Sequence, residues 1–218
     1  MRRSRGPAEL ARLVLRAVPC SVPVVLGAWV LVGGGWSAPS PILSADQQRH
    51  LEAGEVIVLD ALPPRAGQST QGGTALAIVR ASPERVWRIL IDYPGHPRYY
   101  PRVIGVEVLE VDEGHALIRY EVGIGPFSFR FHMNKYPDPI RRRIEWRLAD
   151  GRANSLFREN TGYWQLEEAA GGTLVTYAIA VRTILPGFIT AGSERGSLVD
   201  TIRALRRLAE EDSGAAPR

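Results

Sequence analysis

The sequence predicts an α+β fold in which a long C-terminal helix packs on an antiparallel sheet. Apolar and polar residues alternate in five successive segments, 116–122, 127–136, 141–148, 157–167 and 173–183, as they do in strands with one buried face. Short turn sequences rich in Gly, Pro and Asp separate these segments, and strands joined by such turns are antiparallel. Residues 186–211 then follow a helical period, with an apolar stripe at Leu198, Ile202, Leu205 and Leu208 and a wet face at Arg203, Arg206, Arg207 and Glu210.

Shorter elements precede these strands. Residues 44–53 predict a helix that Ser44 caps, with Gln47 completing a capping box and Gly54 ending the helix. The apolar segment 55–59 predicts a short strand, and 74–80 predicts the first strand of the main domain. Between them, the prolines and glycines of segment 62–73 predict a loop.

Residues 81–111 predict a capped helix, a break and a strand. Ser82 suits the N-cap and Pro83 suits the first helical position. Three prolines between positions 94 and 101 exclude a long regular element there, and alternation resumes in segment 103–111. We expect Trp87 to be buried where this helix meets the sheet, on an apolar face formed by Val86, Trp87, Leu90 and Ile91.

The first 38 residues are typical of a secretory signal. They hold five arginines and one acidic residue, and no charge occurs from Ala17 to Ala38. The small residues Gly35 and Ser37 predict cleavage after Ser37 or Ala38. An uncleaved signal anchor is the alternative, because the apolar stretch is just long enough to span a bilayer. Of the 27 basic and 23 acidic residues, 22 of each follow this segment, so the charge gives no support for nucleic-acid binding.

These patterns divide the chain into a signal peptide or anchor (1–38), a leader with helix, strand and loop (39–73), a main domain (74–211) and a disordered tail (212–218). The single cysteine, Cys20, lies in the signal, so the main domain has no disulfide and no thiolate site. Its histidines are not closely paired, and no nucleotide-binding or nucleophile motif occurs. We therefore predict no cofactor, no metal and no catalytic residue.

Strand alternation predicts which side chains face the C-terminal helix. Phe131 and Met133 share one parity, whereas Arg130 and His132 share the other. The predicted inward set is Phe127, Phe129, Phe131, Met133, Ile144, Trp146, Leu148, Trp164, Leu166, Val175, Tyr177, Ile179 and Val181. The predicted outward set includes Arg143, Tyr163, Thr176 and Ala178.

Residues 81–111 read ASPERVWRILIDYPGHPRYYPRVIGVEVLEV. This sequence pattern resembles that of the START-like or SRPBCC helix-grip superfamily. In order along the chain, the pattern consists of a strand, the motifs A-S-P-E-R-V-W, D-Y and Y-Y-P-R-V, a run of strands and a long last helix. That superfamily includes polyketide cyclase/dehydrases, coenzyme Q-binding proteins and lipid-transfer domains. The resemblance covers about residues 74–211. It implies a curved antiparallel sheet wrapped around a long C-terminal α-helix, with an apolar cavity between them.

We expect the inward aromatic residues to line this cavity, and a solid core is the alternative interpretation of the same residues. His96, in the proline-rich segment expected at the cavity mouth, is the histidine best placed to contact a ligand. The run of Arg141, Arg142 and Arg143 predicts a solvated face, and contact with anionic head groups is the alternative. The predicted ligand-binding residues are Tyr99, Tyr120, Phe129, Phe131, Met133, Trp146, Trp164 and Tyr177.

The predicted function is binding or carriage of a hydrophobic small molecule, such as a lipid, isoprenoid or polyketide-like compound, by a periplasmic or secreted protein. One alternative is an aromatase/cyclase- or dehydrase-like enzyme that shapes a bound polyketide with Tyr99, Tyr120, Tyr177 or His96. Another is an accessory protein, tethered to the inner membrane by its N-terminal segment with its domain outside the cytoplasm. We predict no nucleic-acid partner, and the sequence leaves the oligomeric state open.

Overall fold

In the computed structural model, eight strands form one antiparallel sheet in the order β1-β2-β8-β7-β6-β5-β4-β3. The structure describes residues 41–63, 66–67, 70–184 and 194–211, with the backbone alone for residues 194 and 195. The helices are α1 (Ala45–Glu52), α2 (Pro83–Ile91), a 3₁₀ helix (Tyr93–Arg98) and α3 (Glu194–Glu211). The strands are β1 (Ile57–Leu59), β2 (Gln71–Val79), β3 (Val103–Asp112), β4 (His115–Ile124), β5 (Phe127–Asp138), β6 (Arg143–Leu148), β7 (Phe157–Ala169) and β8 (Gly172–Thr183).

The predicted helix starts are confirmed by their hydrogen bonds. The Ser44 hydroxyl accepts from the backbone N–H of Gln47, and the Gln47 side chain accepts from the backbone N–H of Ser44, which completes the capping box of α1. Ser82 caps α2 by accepting from the N–H of Arg85. Each cap satisfies a backbone donor that the helix itself leaves without a partner.

The buried face of α2 differs from the predicted one. Pro83, Val86 and Leu90 are buried, whereas Trp87 is half-buried and Ile91 is 38% exposed. The expectation of a fully buried Trp87 is therefore wrong. The helix turns positions i, i+3 and i+7 toward the core, and the Trp87 ring packs on the edge of that core.

Strand register gathers the aromatic residues on one face of the sheet. Tyr120 pairs with Phe131 across β4 and β5, and Trp164 pairs with Tyr177 across β7 and β8. Paired residues of antiparallel strands project to the same face. The helix α3 packs against β2 and buries Leu198, Ile202 and Leu205 in the same core.

The outer face of the sheet has more buried side chains than its sequence pattern predicts. Arg143, Tyr163, Thr176 and Ala178 are all buried. The Arg143 guanidinium lies 3.7 Å from the centre of the Tyr163 ring and donates to Glu145. Stacking on an aromatic ring and pairing with a carboxylate let arginine remain charged when it is 7% exposed.

Three further predictions need correction. Phe127, predicted to face inward, is 67% exposed at the start of β5. Arg206, predicted on the wet face of α3, is half-buried and donates to the backbone carbonyl of Gly54. The solvated face predicted at three successive arginines holds only in part: Arg141 is exposed, Arg142 is half-buried and pairs with both Glu84 and Glu168, and Arg143 is buried.

Several predicted segments lie outside the described residues: the signal, the tail, and residues 186–193 of the predicted last helix. Among the helices that are described, none combines the length and the apolar character that a membrane crossing requires.

Candidate functional site

Aromatic rings from five strands and from the segment after α2 meet in the interior of the domain. The indole of Trp164 stacks on the Tyr177 ring, with 4.1 Å between ring centres, and the Trp146 indole also stacks with Tyr177, with 5.8 Å between ring centres. Tyr120 stacks on Phe131 at 5.5 Å. We call this set, with Tyr99, Tyr100, His96 and Lys135, the interior cluster.

The position of Trp146 depends on a glycine in the next strand. Trp146 pairs with Gly162 across β6 and β7, and a Cβ atom at Gly162 would overlap both the Trp146 indole and the backbone carbonyl oxygen of Ala178. The indole N–H donates to the side-chain oxygen of buried Asn160 over 3.1 Å. The missing side chain of Gly162 therefore makes the space that the indole fills.

The Trp164 indole is also held by a hydrogen bond. Its N–H donates to the hydroxyl oxygen of Tyr100 over 2.9 Å. Tyr100 lies two residues after the 3₁₀ helix, where Pro97 and Pro101 limit the conformations of the chain. The proline-rich segment thus holds one tyrosine against the sheet.

His96 is fully buried and uses both ring nitrogens. Its Nε2 lies 3.0 Å from the carbonyl oxygen of Leu90, and its Nδ1 lies 2.7 Å from the hydroxyl of Tyr120. Because a carbonyl can only accept, Nε2 carries the proton, so Nδ1 accepts from the Tyr120 hydroxyl. Burial, helped by the nearby charge of Lys135, lowers the pKa of His96 to about 3. A neutral histidine with both nitrogens occupied ties the end of α2 to β4.

The tyrosine hydroxyls of the cluster stay protonated at neutral pH. Burial is the main cause that raises the pKa of Tyr99, Tyr100, Tyr120 and Tyr177 well above the ordinary value. Among the described residues, the buried Tyr99 hydroxyl has no hydrogen-bond partner. The cluster therefore contains a phenol that can still donate a hydrogen bond.

The most unusual member of the interior is Lys135. It is 4% exposed, and its ammonium nitrogen lies 4.5 Å from the centre of the Trp146 ring, 5.7 Å from that of Tyr120 and 5.9 Å from that of Tyr100. Burial lowers the pKa of Lys135 to about 7. At neutral pH the domain thus holds an amine near its titration midpoint among aromatic rings.

Residues 79–206 match the model of the family described as polyketide cyclase / dehydrase and lipid transport. This match covers more than half of the chain. The chain belongs to the polyketide cyclase/dehydrase and lipid transport family.

Solved structures agree with this family assignment at the level of the fold. One similar structure is the Zhui aromatase/cyclase from Streptomyces sp. R1128, with 22% identity, a TM-score of 0.57, and coverage of 66% of this chain and 96% of that chain. Another is a START superfamily protein from Mycobacterium smegmatis, with 21% identity, a TM-score of 0.54, and coverage of 63% and 96%. The sheet and C-terminal helix match the helix-grip fold of these START-like neighbours, as predicted. No curated protein matches the chain.

The interior of this family member brings the predicted ligand-binding residues together. Seven of them, all except Phe129, are buried in one core, and Phe129 is half-buried against it. Their role in binding stays a prediction. His96, expected at a cavity mouth, is instead fully buried beneath the tyrosines.

Two members of the cluster were missed from the sequence, Tyr100 and Lys135. A sequence signal existed for Lys135, because it has the same strand parity as Phe131 and Met133 and follows them directly in the inward series. The signal for Tyr100 was weaker, since a residue outside regular structure has no parity to assign it a face.

A surface cleft of about 400 Å³ lies between the proline-rich segment and α3. It is mainly basic, and its walls are formed by Arg98, Tyr99, Pro101, Asp200, Arg203, Ala204 and Arg207. Tyr99 belongs to the cleft wall although it is only 1% exposed, and its hydroxyl is buried among the other tyrosines.

The described residues contain no group of three or more His, Cys, Asp or Glu side chains arranged to hold a metal ion. The polar groups available for chemistry in the cluster are instead the tyrosine hydroxyls, the His96–Tyr120 pair and the Lys135 amine.

Proposed function

We propose that this protein binds a hydrophobic small molecule against the interior cluster, between the sheet and α3, and carries or sequesters it. The observation that carries the proposal is the convergence of Phe131, Trp146, Trp164 and Tyr177 on one face of the sheet. Ligand sites in proteins are typically lined by aromatic side chains with a few fixed polar groups. The family description, which includes lipid transport, supports the same function.

The physical basis of such binding is the removal of apolar surface from water. Each Å² of apolar ligand surface that is buried contributes about 25 cal/mol, so a lipid- or polyketide-sized molecule binds usefully through shape and area alone. Affinity then depends on the volume of the lining residues more than on surface charge.

We also propose that the protein is exported and acts in the periplasm or outside the cell. The support is the arginine-rich start of the chain followed by the charge-free segment from Ala17 to Ala38. A hydrophobic molecule needs a carrier to cross an aqueous compartment, because its own solubility there is low.

The test combines identification of bound molecules with a direct binding measurement. The protein is purified from its native export compartment, and extracted small molecules are identified by mass spectrometry. Binding of the uncharged dye N-phenylnaphthylamine is then compared in wild type, Phe131→Ala and the matched outward variant His132→Ala. We expect Phe131→Ala to change dye affinity and His132→Ala to leave it unaltered. An effect of the outward variant alone would favour a surface interaction instead.

A second candidate function is an aromatase/cyclase-like reaction on a bound polyketide. The observation that favours it is the presence of polar groups inside the cluster, the His96–Tyr120 pair and the Lys135 amine. Since both nitrogens of His96 are occupied, proton transfer would use Tyr120 or Lys135. Turnover of a polyketide-like compound by wild type, lost in Tyr120→Phe with dye binding retained, would establish the enzyme.

A further inference from the structure

We propose that Lys135 anchors an acidic head group, a carboxylate, of the hydrophobic molecule that binds at the interior cluster. This inference rests on the proposed binding function and specifies its ligand class as an apolar acid. It assigns to Lys135 a role that neither the strand pattern nor the family match contains.

The position of Lys135 in β5 directs its amine into the interior. Phe131 and Met133 precede it at the same parity, and all three are buried. Its pairing partner in β6 is Trp146, whose ring lies closest to the ammonium. A surface lysine normally extends its amine into water, whereas this one has four carbons and an amine enclosed by aromatic side chains.

The Lys135 amine also lacks an anionic partner. In the part of the chain that the structure describes, ion pairs join arginines and His50 to carboxylates, and none includes Lys135. Aromatic faces stabilise an ammonium through their quadrupoles, but they do not replace a counter-ion in a low dielectric. A buried ammonium without a counter-ion is a site that a carboxylate complements.

A second donor lies in the same group of residues. The Tyr99 ring is 4.6 Å from the Tyr100 ring, and the Lys135 ammonium faces Tyr100 from 5.9 Å. The hydroxyl of Tyr99 is buried beside that of Tyr100 and makes no hydrogen bond of normal geometry among the described residues. A carboxylate has two oxygens and only accepts hydrogen bonds, so it suits an interior that offers an ammonium and a phenol without a well-formed hydrogen bond.

The other titratable groups around Lys135 stay neutral between pH 5 and 9. His96 stays neutral because burial lowers its pKa to about 3, and burial raises the pKa values of Tyr99, Tyr100, Tyr120 and Tyr177. Lys135, whose pKa is lowered to about 7 by burial, is therefore the group facing the cluster that changes charge. Acid binding is expected to weaken as pH rises above about 7, because the amine must then take up a proton to pair with the carboxylate.

The test uses a matched pair of fluorescent probes, cis-parinaric acid and its methyl ester, which share one apolar chain. Each is titrated into wild type, Lys135→Met and Arg130→Met. Lys135→Met removes the charge and keeps an unbranched side chain that is one atom shorter, and Arg130→Met removes a charge from the outward face of the same strand. We expect Lys135→Met to weaken the acid at least tenfold and to leave the ester unchanged or tighter, with no effect of Arg130→Met on either probe.

Wild-type protein supplies an independent measurement. The pKa of Lys135 is followed by NMR of its Cε resonance with and without cis-parinaric acid, and a carboxylate at the amine should raise that pKa by at least one unit. Equal binding of acid and ester to wild type, or an unchanged Lys135 pKa in the acid complex, would overturn the anchor while leaving hydrophobic binding intact. If neither probe nor N-phenylnaphthylamine binds, the proposed function itself is wrong.

Discussion

The Tyr120 hydroxyl donates a hydrogen bond to Nδ1 of His96 over 2.7 Å, and both side chains are buried. This bond links β4 to the proline-rich segment, while the opposite nitrogen of His96 holds the last turn of α2. Two short contacts of one imidazole thus join three elements around the interior cluster.

Replacing Tyr120 with phenylalanine should destabilise the domain by about 1–3 kcal/mol, because Nδ1 of His96 is left buried without a donor. The matched control is Tyr136→Phe, because the Tyr136 hydroxyl accepts a hydrogen bond from exposed Arg147. This variant should lower the free energy of unfolding by less than about 0.5 kcal/mol. Chemical denaturation measures both. Equal costs for the two variants would contradict the assigned hydrogen bond and tautomer.

The stability of the domain should rise with pH between about 7 and 9.5 because of Lys135. Its folded-state pKa is about 7 and its ordinary value is 10.5, so the unfolded chain binds more protons in this range, with a slope of at most about 1.4 kcal/mol per pH unit. Lys135→Met should flatten this slope and be more stable than wild type at pH 7. If the stability of Lys135→Met still rises with pH in this range, another group is responsible for the pH dependence.

Gly162→Ala should destabilise the domain by about 3 kcal/mol, because the new methyl group overlaps the Trp146 indole and the Ala178 carbonyl. Gly196→Ala is the matched control: Gly196 lies exposed in α3 with open space around its Cα. Alanine there should stabilise the helix by about 0.5–1 kcal/mol. Thermal unfolding measures the stability of both variants. If Gly162→Ala is as stable as wild type, the Trp146 indole has another position.

The exported protein should begin at Ala38 or Pro39. The charge-free segment and the small residues at Gly35 and Ser37 carry this prediction. N-terminal sequencing of material from the export compartment reads the start directly. Membrane-bound protein that retains Met1 would establish the signal-anchor alternative.

The sequence predicted the sheet well because period-two alternation and Gly- or Pro-containing turns are local signals. It predicted the inward aromatic residues for the same reason. It did not predict that Arg143 and Tyr163 bury each other on the outer face, since this depends on a pairing between β6 and β7. Lys135 was missed because its charge suggested solvent, although its parity placed it beside Met133 and Trp146.

His96 shows a further limit of sequence reasoning. Its proline-rich surroundings indicated a loop at a cavity mouth, whereas the 3₁₀ helix Tyr93–Arg98 turns its ring inward beneath Tyr99 and Tyr100. The direction of a side chain in a segment without regular period depends on tertiary contacts. Such contacts connect residues far apart in the chain, as the Tyr120 and Leu90 partners of His96 do.

The most direct test of hydrophobic binding at the interior cluster is an NMR titration of the exported domain with N-phenylnaphthylamine. The indole N–H signals of Trp146 and Trp164 report the cluster through their bonds to Asn160 and Tyr100, and the side-chain signals of Arg130 Nε–H and the His132 imidazole report the outward face. We expect saturable shifts of both indole signals with little change at the two outward side chains. Shifts confined to the outward side chains, with both indoles unmoved at saturation, would contradict hydrophobic binding at the interior cluster.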